Sequence, residues 1–483
     1  MNYEAVIGLE VHVQLRTRTK MFCACANTFG APPNTQTCPV CLGLPGALPS
    51  PNFEALRLTA LTGLMLGGAI APRCKFDRKN YFYPDVSKNY QISQYDLPIC
   101  VGGELVLPRE NYPKDAQKTV EESRRIRLVR IHLEEDVAKS FHFEAATGVD
   151  FNRAGAPLME IVTQPDLRSP EEAFAFLSTL RLVLLYGGVS DADMEKGQLR
   201  CDCNVSVRPV DQEELGAKVE IKNMNSISGV RRALAHEIER QMDVARNGGR
   251  IAQETRRWDE AAGATFGMRS KEMAHDYRYF PEPDLLPVVV DSWIDEVRRA
   301  VPELPVARKE RLMRRLGVGE SNAEVLVADR ELADWFEKAA ATTKNANGVA
   351  NFVVNDLLRE LGAAGKPLVE SPIAPEALGA LVDLADAGRI SSSQAKEVFA
   401  EMFRSGRAAD EIVVERGMEQ VSDTDAIGKL CDEVLAVNAA MVAQIREGNV
   451  KAVGNLVGQV MKRSQGKANP AMVNAALKEK LGI

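Results

Sequence analysis

Two ionisable side chains sit at the head of the sequence in a pattern that puts them to work together. From Ile7 to Leu15 apolar and polar residues alternate without a break: Ile7, Leu9, Val11, Val13 and Leu15 share one parity, while Glu10, His12, Gln14 and Arg16 share the other. In a strand, residues two apart point to the same side about 6.7 Å from one another, so Glu10 and His12 can converge on one ion or one substrate. The pattern recurs. In LRCDCNVSVR the residues Cys201, Cys203, Val205 and Val207 alternate with Arg200, Asp202, Asn204 and Ser206, and in KVEIKN Glu220 stands between Lys218 and Lys222. A solvated outer face would show the same alternation, and that reading stays open for each strand taken alone.

Glu160 is more telling. It is the single acid in APLMEIV, and a carboxylate embedded in an apolar strand must find a cation or bear a large desolvation cost. Arg153 is near enough in sequence to be that partner. The segment RIHLEEDVAKSF adds His132, Glu134, Glu135 and Asp136. Alternation groups Glu135 with Ile131 and Leu133, and Glu134 and Asp136 with His132, but periodicity alone does not choose among the acids. Oxygen-rich sets of this kind suit Mg²⁺, for which His12 would be an unusual direct ligand; the imidazole could instead meet an ion-bound water or act as a base.

A second group of residues suits a softer metal. Cys23 and Cys25 form CxC, and Cys38 and Cys41 form CPVC, with Asn27, Gly30, Pro32, Pro33 and Asn34 supplying turns between them. Four thiolates at this spacing can close a tetrahedral structural Zn²⁺ site, which has no open position for catalysis. The run KFDRKNYFYPDVSKNYQISQYD interleaves Lys75, Arg78, Lys79 and Lys88 with Tyr81, Tyr83, Tyr90 and Tyr95, a mixture suited to phosphates, nucleobases or a tRNA terminus. No GxxxxGK[ST] loop and no GxSxG elbow occur, which excludes a P-loop ATPase and argues against a self-sufficient amidase.

These side chains need a scaffold, and the rest of the chain supplies it. Its 483 residues allow two to four domains at roughly 100 to 200 residues each. Hydrophobic content of 45% and charged content of 26% are ordinary for a globular protein and exclude wholesale disorder. A net charge of -7 argues against a surface coated for nonspecific nucleic-acid binding, though not against a local basic patch. The apolar uncharged stretch Leu58 to Pro72 is shorter than the ~20 apolar residues that span a bilayer. MNYEAVIGLE has no basic n-region, so the expectation is a cytoplasmic protein with no membrane span. Nine cysteines in such a chain point to metal ligands and buried thiols, not a disulfide framework.

Up to about residue 290 short alternating segments with Gly and Pro punctuation predict a mixed sheet and helix domain; beyond Pro302 Ala, Leu, Glu, Lys and Arg take over at helical spacing. The expected fold is α+β, with a cradle domain over 1–292 on a mainly antiparallel sheet, a helical domain over 293–407 and a small helical tail over 408–483. The serines of ISSSQAKEVFAEMF resemble an N-cap, and FRSGRAADEI reads as the break after that helix.

The segments VIGLEVHVQL, KFDRKNYFYPD, YQISQYD, HLEEDVAKS, DFNRAGAPLMEIV, LRCDCNVSV, EIKNMNS, QETRRWDE and DYRYFPEPDL strongly resemble GatB, the B subunit of the glutamyl-tRNA(Gln) and aspartyl-tRNA(Asn) amidotransferases. GNLVGQVMKRSQGKANP resembles the tail of the same family, so the likeness spans the chain. It implies an ATP- and Mg²⁺-dependent ligase acting in translation on tRNA(Gln), tRNA(Asn) or both. The assembly it implies is the GatCAB heterotrimer, in which GatB joins the amidase GatA and the small protein GatC. A tRNA-binding scaffold without chemistry, or a metal-dependent phosphohydrolase, is the alternative. Carried over by the resemblance, Glu10, His12, Glu135, Glu160, Asp202 and Glu220 are the Mg²⁺ positions, with Asp202 and Glu220 at a second, transient one. Glu10, His12 and Glu135 are catalytic, and Lys79 lines the ammonia route. Zn²⁺ occurs in part of the family, so here it rests on the cysteine spacing. Lys451, Lys462, Arg463 and Lys467 form a basic tail surface expected to meet the tRNA backbone.

Overall fold

The computed structural model describes residues 2–268, 277–418, 424–446, 452–464, 468 and 470–483. It divides into two compact units, Met1–Pro305 and Val306–Ile483. None of the helices among the described residues is long and apolar enough to cross a membrane.

The first unit is organised by a ten-stranded sheet. Its order runs Ala264–Gly267, Glu254–Asp259, Val219–Lys222, Leu199–Pro209, Tyr3–Gln14, Pro157–Thr163, Ser123–Glu135, Cys100–Val101 and Ala69–Ile70, with Glu104–Pro108 also paired to Ser123–Glu135. Every pairing is antiparallel except that of Val219–Lys222 with Glu254–Asp259. The alternating first strand therefore lies in the interior of the sheet. Ile7, Leu9, Val11, Val13 and Leu15 are buried in the core with Phe176, Leu180 and Leu184 of the helix Pro170–Tyr186 and Val230, Ala233 and Leu234 of the helix Ile227–Arg246. Each such side chain contributes about 1.5–3 kcal/mol by leaving water, and slipping the strand by one residue would turn the whole set outward. Register is thereby fixed, and with it the polar parity that faces away from the core.

Both helices start at serines. The Ser169 hydroxyl accepts from Glu172 N at 3.1 Å and the Ser226 hydroxyl from Gly229 N at 2.9 Å. A three-stranded sheet of Phe280–Pro281, Asp77–Asn80 and Tyr90–Ser93 carries the tyrosine-rich segment. Ile294 and Val297 belong to the first core, so this unit's packing continues past residue 292.

The second unit is helical. One core runs from Leu312 to Val413, a second from Ile427 to Leu481. Ala409, Ile412 and Val413 thus pack with the helices that precede residue 408. The helix Ser392–Ser405 opens with a capping box between Ser391 and Gln394 and closes at Gly406, whose φ of 70° takes the left-handed conformation that ends helices. The fold is the expected one: a mixed sheet and helix domain followed by a helical region and a small helical tail.

Candidate active site

Across the sheet, backbone register assembles the polar residues into rows. His132, Glu160, His12 and Arg200 lie side by side on the four strands Ser123–Glu135, Pro157–Thr163, Tyr3–Gln14 and Leu199–Pro209. One pleat along, Glu10 pairs with Asp202, and beyond it Asn204 pairs with Glu220. Sequence separations of up to about 200 residues are thereby reduced to the 4.7–4.9 Å between strands.

The centre of the site is a tight triad. Oxygens of Glu134 and Glu160 and a ring nitrogen of His12 lie within 4.8 Å of one another. His12 Nε2 is 3.5 Å from Glu134 Oε1 and 3.6 Å from Glu160 Oε2, and His132 Nε2 is 3.2 Å from the same Glu160 oxygen. Glu160 is 12% exposed and Glu134 4%, so both charges are largely removed from water. Burial pulls the His12 imidazole toward neutrality, but Glu160 and Glu134 outweigh it and raise its proton affinity. Burial pushes the Glu160 carboxyl up, and the two histidines more than reverse this, holding it below the usual carboxylate range. Two carboxylates and one imidazole converging on one point form a donor set for a divalent cation.

The partner that Glu160 requires is thus a pair of histidines. Arg153 is engaged elsewhere, donating to the Val137 and Ala138 carbonyls at 2.9 and 2.8 Å and lying 3.6 Å from Asp136. Of the two neighbouring acids, Glu134 enters the triad, whereas Glu135, the one that the resemblance names, turns to the other side of the strand. Glu135 Oε1 accepts from Ile92 N at 2.9 Å and from Lys88, which pairs with it. Asp136 holds Arg200 through Nη2 at 2.9 Å.

Glu10 accepts from Asn204 Nδ2 at 2.9 Å. Asp202 and Glu220 are brought together by Lys222, whose Nζ lies 2.6 Å from Asp202 Oδ2 and 2.9 Å from Glu220 Oε1. An ammonium therefore fills the place that the resemblance gives to a second ion. Burial opposes the charge on Lys222, yet the two carboxylates raise its proton affinity well above that of free lysine.

Lys79 lies on the strand Asp77–Asn80, its Nζ 4.9 Å from the Tyr277 ring centre and 5.9 Å from that of Tyr81. Burial disfavours its charge, but Glu134 and Glu160 restore it and leave its proton affinity raised. Arg78 forks onto Glu282 at 2.7 and 2.8 Å and covers the Tyr90 ring at 4.1 Å. Tyr95 stacks on Tyr279 at 4.3 Å with planes 9° apart. The aromatic wall thus draws Tyr277 and Tyr279 from DYRYFPEPDL, which spacing within the first run did not reveal. A cleft of about 540 Å³ between Tyr3, Arg168 and the helix Ile227–Arg246 contains none of these groups. The carboxylate site lies on the sheet surface instead.

The four cysteines converge as their spacing predicts, their sulfurs within 4.8 Å of one another, and they can hold a metal ion. Cys38 and Cys41 Sγ are 3.9 Å apart, against about 3.8 Å for the edge of a tetrahedron with 2.3 Å metal–sulfur bonds. Cys38 N donates to Cys41 Sγ at 3.2 Å. The hydrogen bond from Cys23 lowers the Cys41 thiol against the effect of burial, with help from the Cys38 amide and the Lys20 charge. In the tail, Lys462 is exposed and Arg463 Nη1 lies 2.9 Å from Glu433; Lys451 and Lys467 lie outside the described residues.

Residues 5–295 match the GatB/GatE catalytic domain and residues 334–481 the GatB domain. The B subunit of the aspartyl/glutamyl-tRNA(Asn/Gln) amidotransferase of Methylacidiphilum infernorum is 54% identical, covering 100% of this chain and 99% of that protein. Its counterpart in Moorella thermoacetica is 51% identical over 100% of both, and that of Geobacter sulfurreducens 50% identical over 100% of both. With end-to-end likeness at this level and both domains matched, the chain belongs to the GatB family of amidotransferase subunits.

Proposed function

We infer that this chain is the transamidating member of a tRNA-dependent amidotransferase, working with a GatA-type glutaminase and a small GatC-type protein. It activates glutamate on tRNA(Gln), aspartate on tRNA(Asn), or both, and amidates the activated group with ammonia. The observation that carries this reading is the convergence of His12, Glu134 and Glu160 on one point of the sheet, in a chain of this family.

In the first step a side-chain carboxylate oxygen of the tRNA-borne residue attacks the γ-phosphorus of ATP, the bond to the β-phosphate oxygen breaks, and ADP leaves. In the second, ammonia attacks the acyl carbon and the carboxylate oxygen departs with phosphate. Glu134, Glu160 and His12 would hold Mg²⁺, which neutralises charge on the phosphoryl group when bound. His132 donates to Glu160 and fixes its orientation. Lys79 remains an ammonium under the influence of Glu134 and Glu160, so it opposes negative charge developing on the substrate instead of accepting a proton. Glu10, one pleat from His12 on the same strand, is the acid–base group for the proton that the attacking nitrogen sheds. The tyrosines around Lys79 limit water, which would hydrolyse the acyl phosphate. The four-cysteine set would hold structural Zn²⁺, and the tail would meet tRNA.

Transfer of ¹⁸O tests this function. Glu-tRNA(Gln) labelled in its side-chain carboxylate is incubated with the reconstituted complex, MgATP and ammonium chloride. One ¹⁸O in inorganic phosphate per Gln-tRNA formed supports the acyl phosphate. Product without labelled phosphate removes that step, and absence of product from the complete complex removes the function.

A further inference from the structure

Among the described residues, four buried side-chain nitrogen and oxygen atoms on the polar parity of this one sheet lack a hydrogen-bond partner: Arg130 Nε, His132 Nδ1, Arg200 Nε and Asn204 Oδ1. Buried polar atoms are nearly always satisfied, so their concentration around one cluster marks a place where a ligand supplies the missing partners. Two of the four are guanidinium donors, and they stand on opposite sides of the triad. Arg200 is on the strand next to His12, and Arg130 is one pleat along from His132, between Val101 and Val162.

The two arginines differ in commitment. Arg200 is tied by Nη2 to Asp136, while Arg130 makes no ion pair within 4 Å among the described residues although acids line its own strand. A half-buried guanidinium flanked by valines, with its Nε shut away from water and no carboxylate across from it, is an incomplete anion site. The planar fork of arginine matches tetrahedral oxyanions, and phosphate is the anion that the proposed reaction brings here.

We propose that Arg130 is a substrate-binding residue that grips a phosphate oxygen beside the His12, Glu134 and Glu160 cluster. The inference rests on the function proposed above and adds to it a residue outside the carboxylate set. The phosphate comes either from the nucleotide or from the 3′-terminal phosphodiester of the tRNA, and the two sources separate in the test.

The complex reconstituted with its amidase partner is assayed in the ammonium-driven reaction as wild type, Arg130→Met, Arg130→Lys and Arg130→Ala. Loss of a charge-assisted fork is expected to raise either the KM for MgATP or the Kd for Glu-tRNA(Gln) about tenfold or more in Arg130→Met. A change in the first alone assigns the phosphate to the nucleotide, and in the second alone to the tRNA. Arg130→Lys, which keeps charge but not the fork, falls between Met and wild type, and it replaces Met as the variant to read if Met lowers the melting temperature. Added guanidinium restores Arg130→Ala, an effect that a merely structural arginine would not show. Both constants within twofold of wild type in folded Arg130→Met, or no rescue of Arg130→Ala, overturns the proposal. Wild type that makes no Gln-tRNA refutes the proposed function instead.

Discussion

Replacing Glu134 and Glu135 one at a time by glutamine separates the acid that lies in the triad from its neighbour, which the resemblance names. Glu135 pairs with Lys88 at 6% and 12% exposure and also accepts from Ile92 N at 2.9 Å. Removing one partner of a buried pair costs about 3–5 kcal/mol, because the other charge is stranded. Glutamine can still accept from Ile92 N, which places the cost near the lower bound, about 3 kcal/mol. Melting entropy of about 2.1 cal/mol/K per residue gives the 305-residue first unit roughly 0.6 kcal/mol/K, so Glu135→Gln should lower its melting temperature by about 5 °C. Glu134→Gln should do the opposite kind of damage. It removes a carboxylate that attracts His12 and Lys79 but also crowds Glu160, so its cost to the fold is smaller than that of Glu135→Gln. It also removes an atom of the proposed ion site, and since outer-sphere losses alone weaken metal sites about 10–100-fold, divalent-ion affinity should fall by at least about 100-fold. Calorimetry with an electron paramagnetic resonance titration of Mn²⁺ reads both quantities. If Glu135→Gln loses the ion at unchanged stability while Glu134→Gln keeps it, the placement of these two side chains is wrong.

Three other outcomes follow from the same geometry. The purified protein should carry one zinc per chain by elemental analysis, and Cys41→Ser should release it and lower the melting temperature with little change in kcat, since four thiolates leave no open position. Lys222→Met should add a second bound Mn²⁺ by uncovering Asp202 and Glu220; an unchanged stoichiometry would deny that the ammonium occupies an ion's place. In the ion-free protein His12 binds its proton more tightly than the ordinary 6.5, so its stabilisation is complete below pH 6.5 and is lost as pH rises through the higher folded value. The lowered Glu160 contributes above pH 4.5 and fades as pH falls through its own folded value. Their pairing should therefore be strongest between about pH 4.5 and 6.5, whereas Mn²⁺, competing with the His12 proton, should bind better above that window. Melting curves against pH for wild type and His12→Gln check the first statement, and Mn²⁺ titrations the second.

Period-two alternation carried much of this architecture, because in a sheet with one buried face the parity of a residue decides its side. Glu10, His12, Asp202 and Glu220 stood out for that reason, Glu160 as the single acid of an apolar strand, and the four cysteines by turn-flanked spacing. What alternation cannot supply is strand order. Nothing in APLMEIV says that His12 and His132 become its cross-strand neighbours, and so Arg153, close in sequence, looked a fitting partner for Glu160. Glu134 and Glu135 illustrate a different limit. Parity placed Glu134 with His132, but choosing between the acids needed the positions of Ile92 N, on a separate sheet, and of Lys88, in the turn before that strand. The first core reaches Ile294 and Val297, short of the change to helical spacing beyond Pro302.

The carboxylate and histidine cluster is proposed to perform the chemistry. Single-turnover formation of Gln-tRNA(Gln) by the reconstituted complex, driven by MgATP and ammonium chloride, compares wild type with Glu160→Gln while tRNA binding is followed in parallel. Product is expected from wild type, and from Glu160→Gln a loss of at least about 100-fold with tRNA still bound. Equal rates in the two proteins would contradict the claim.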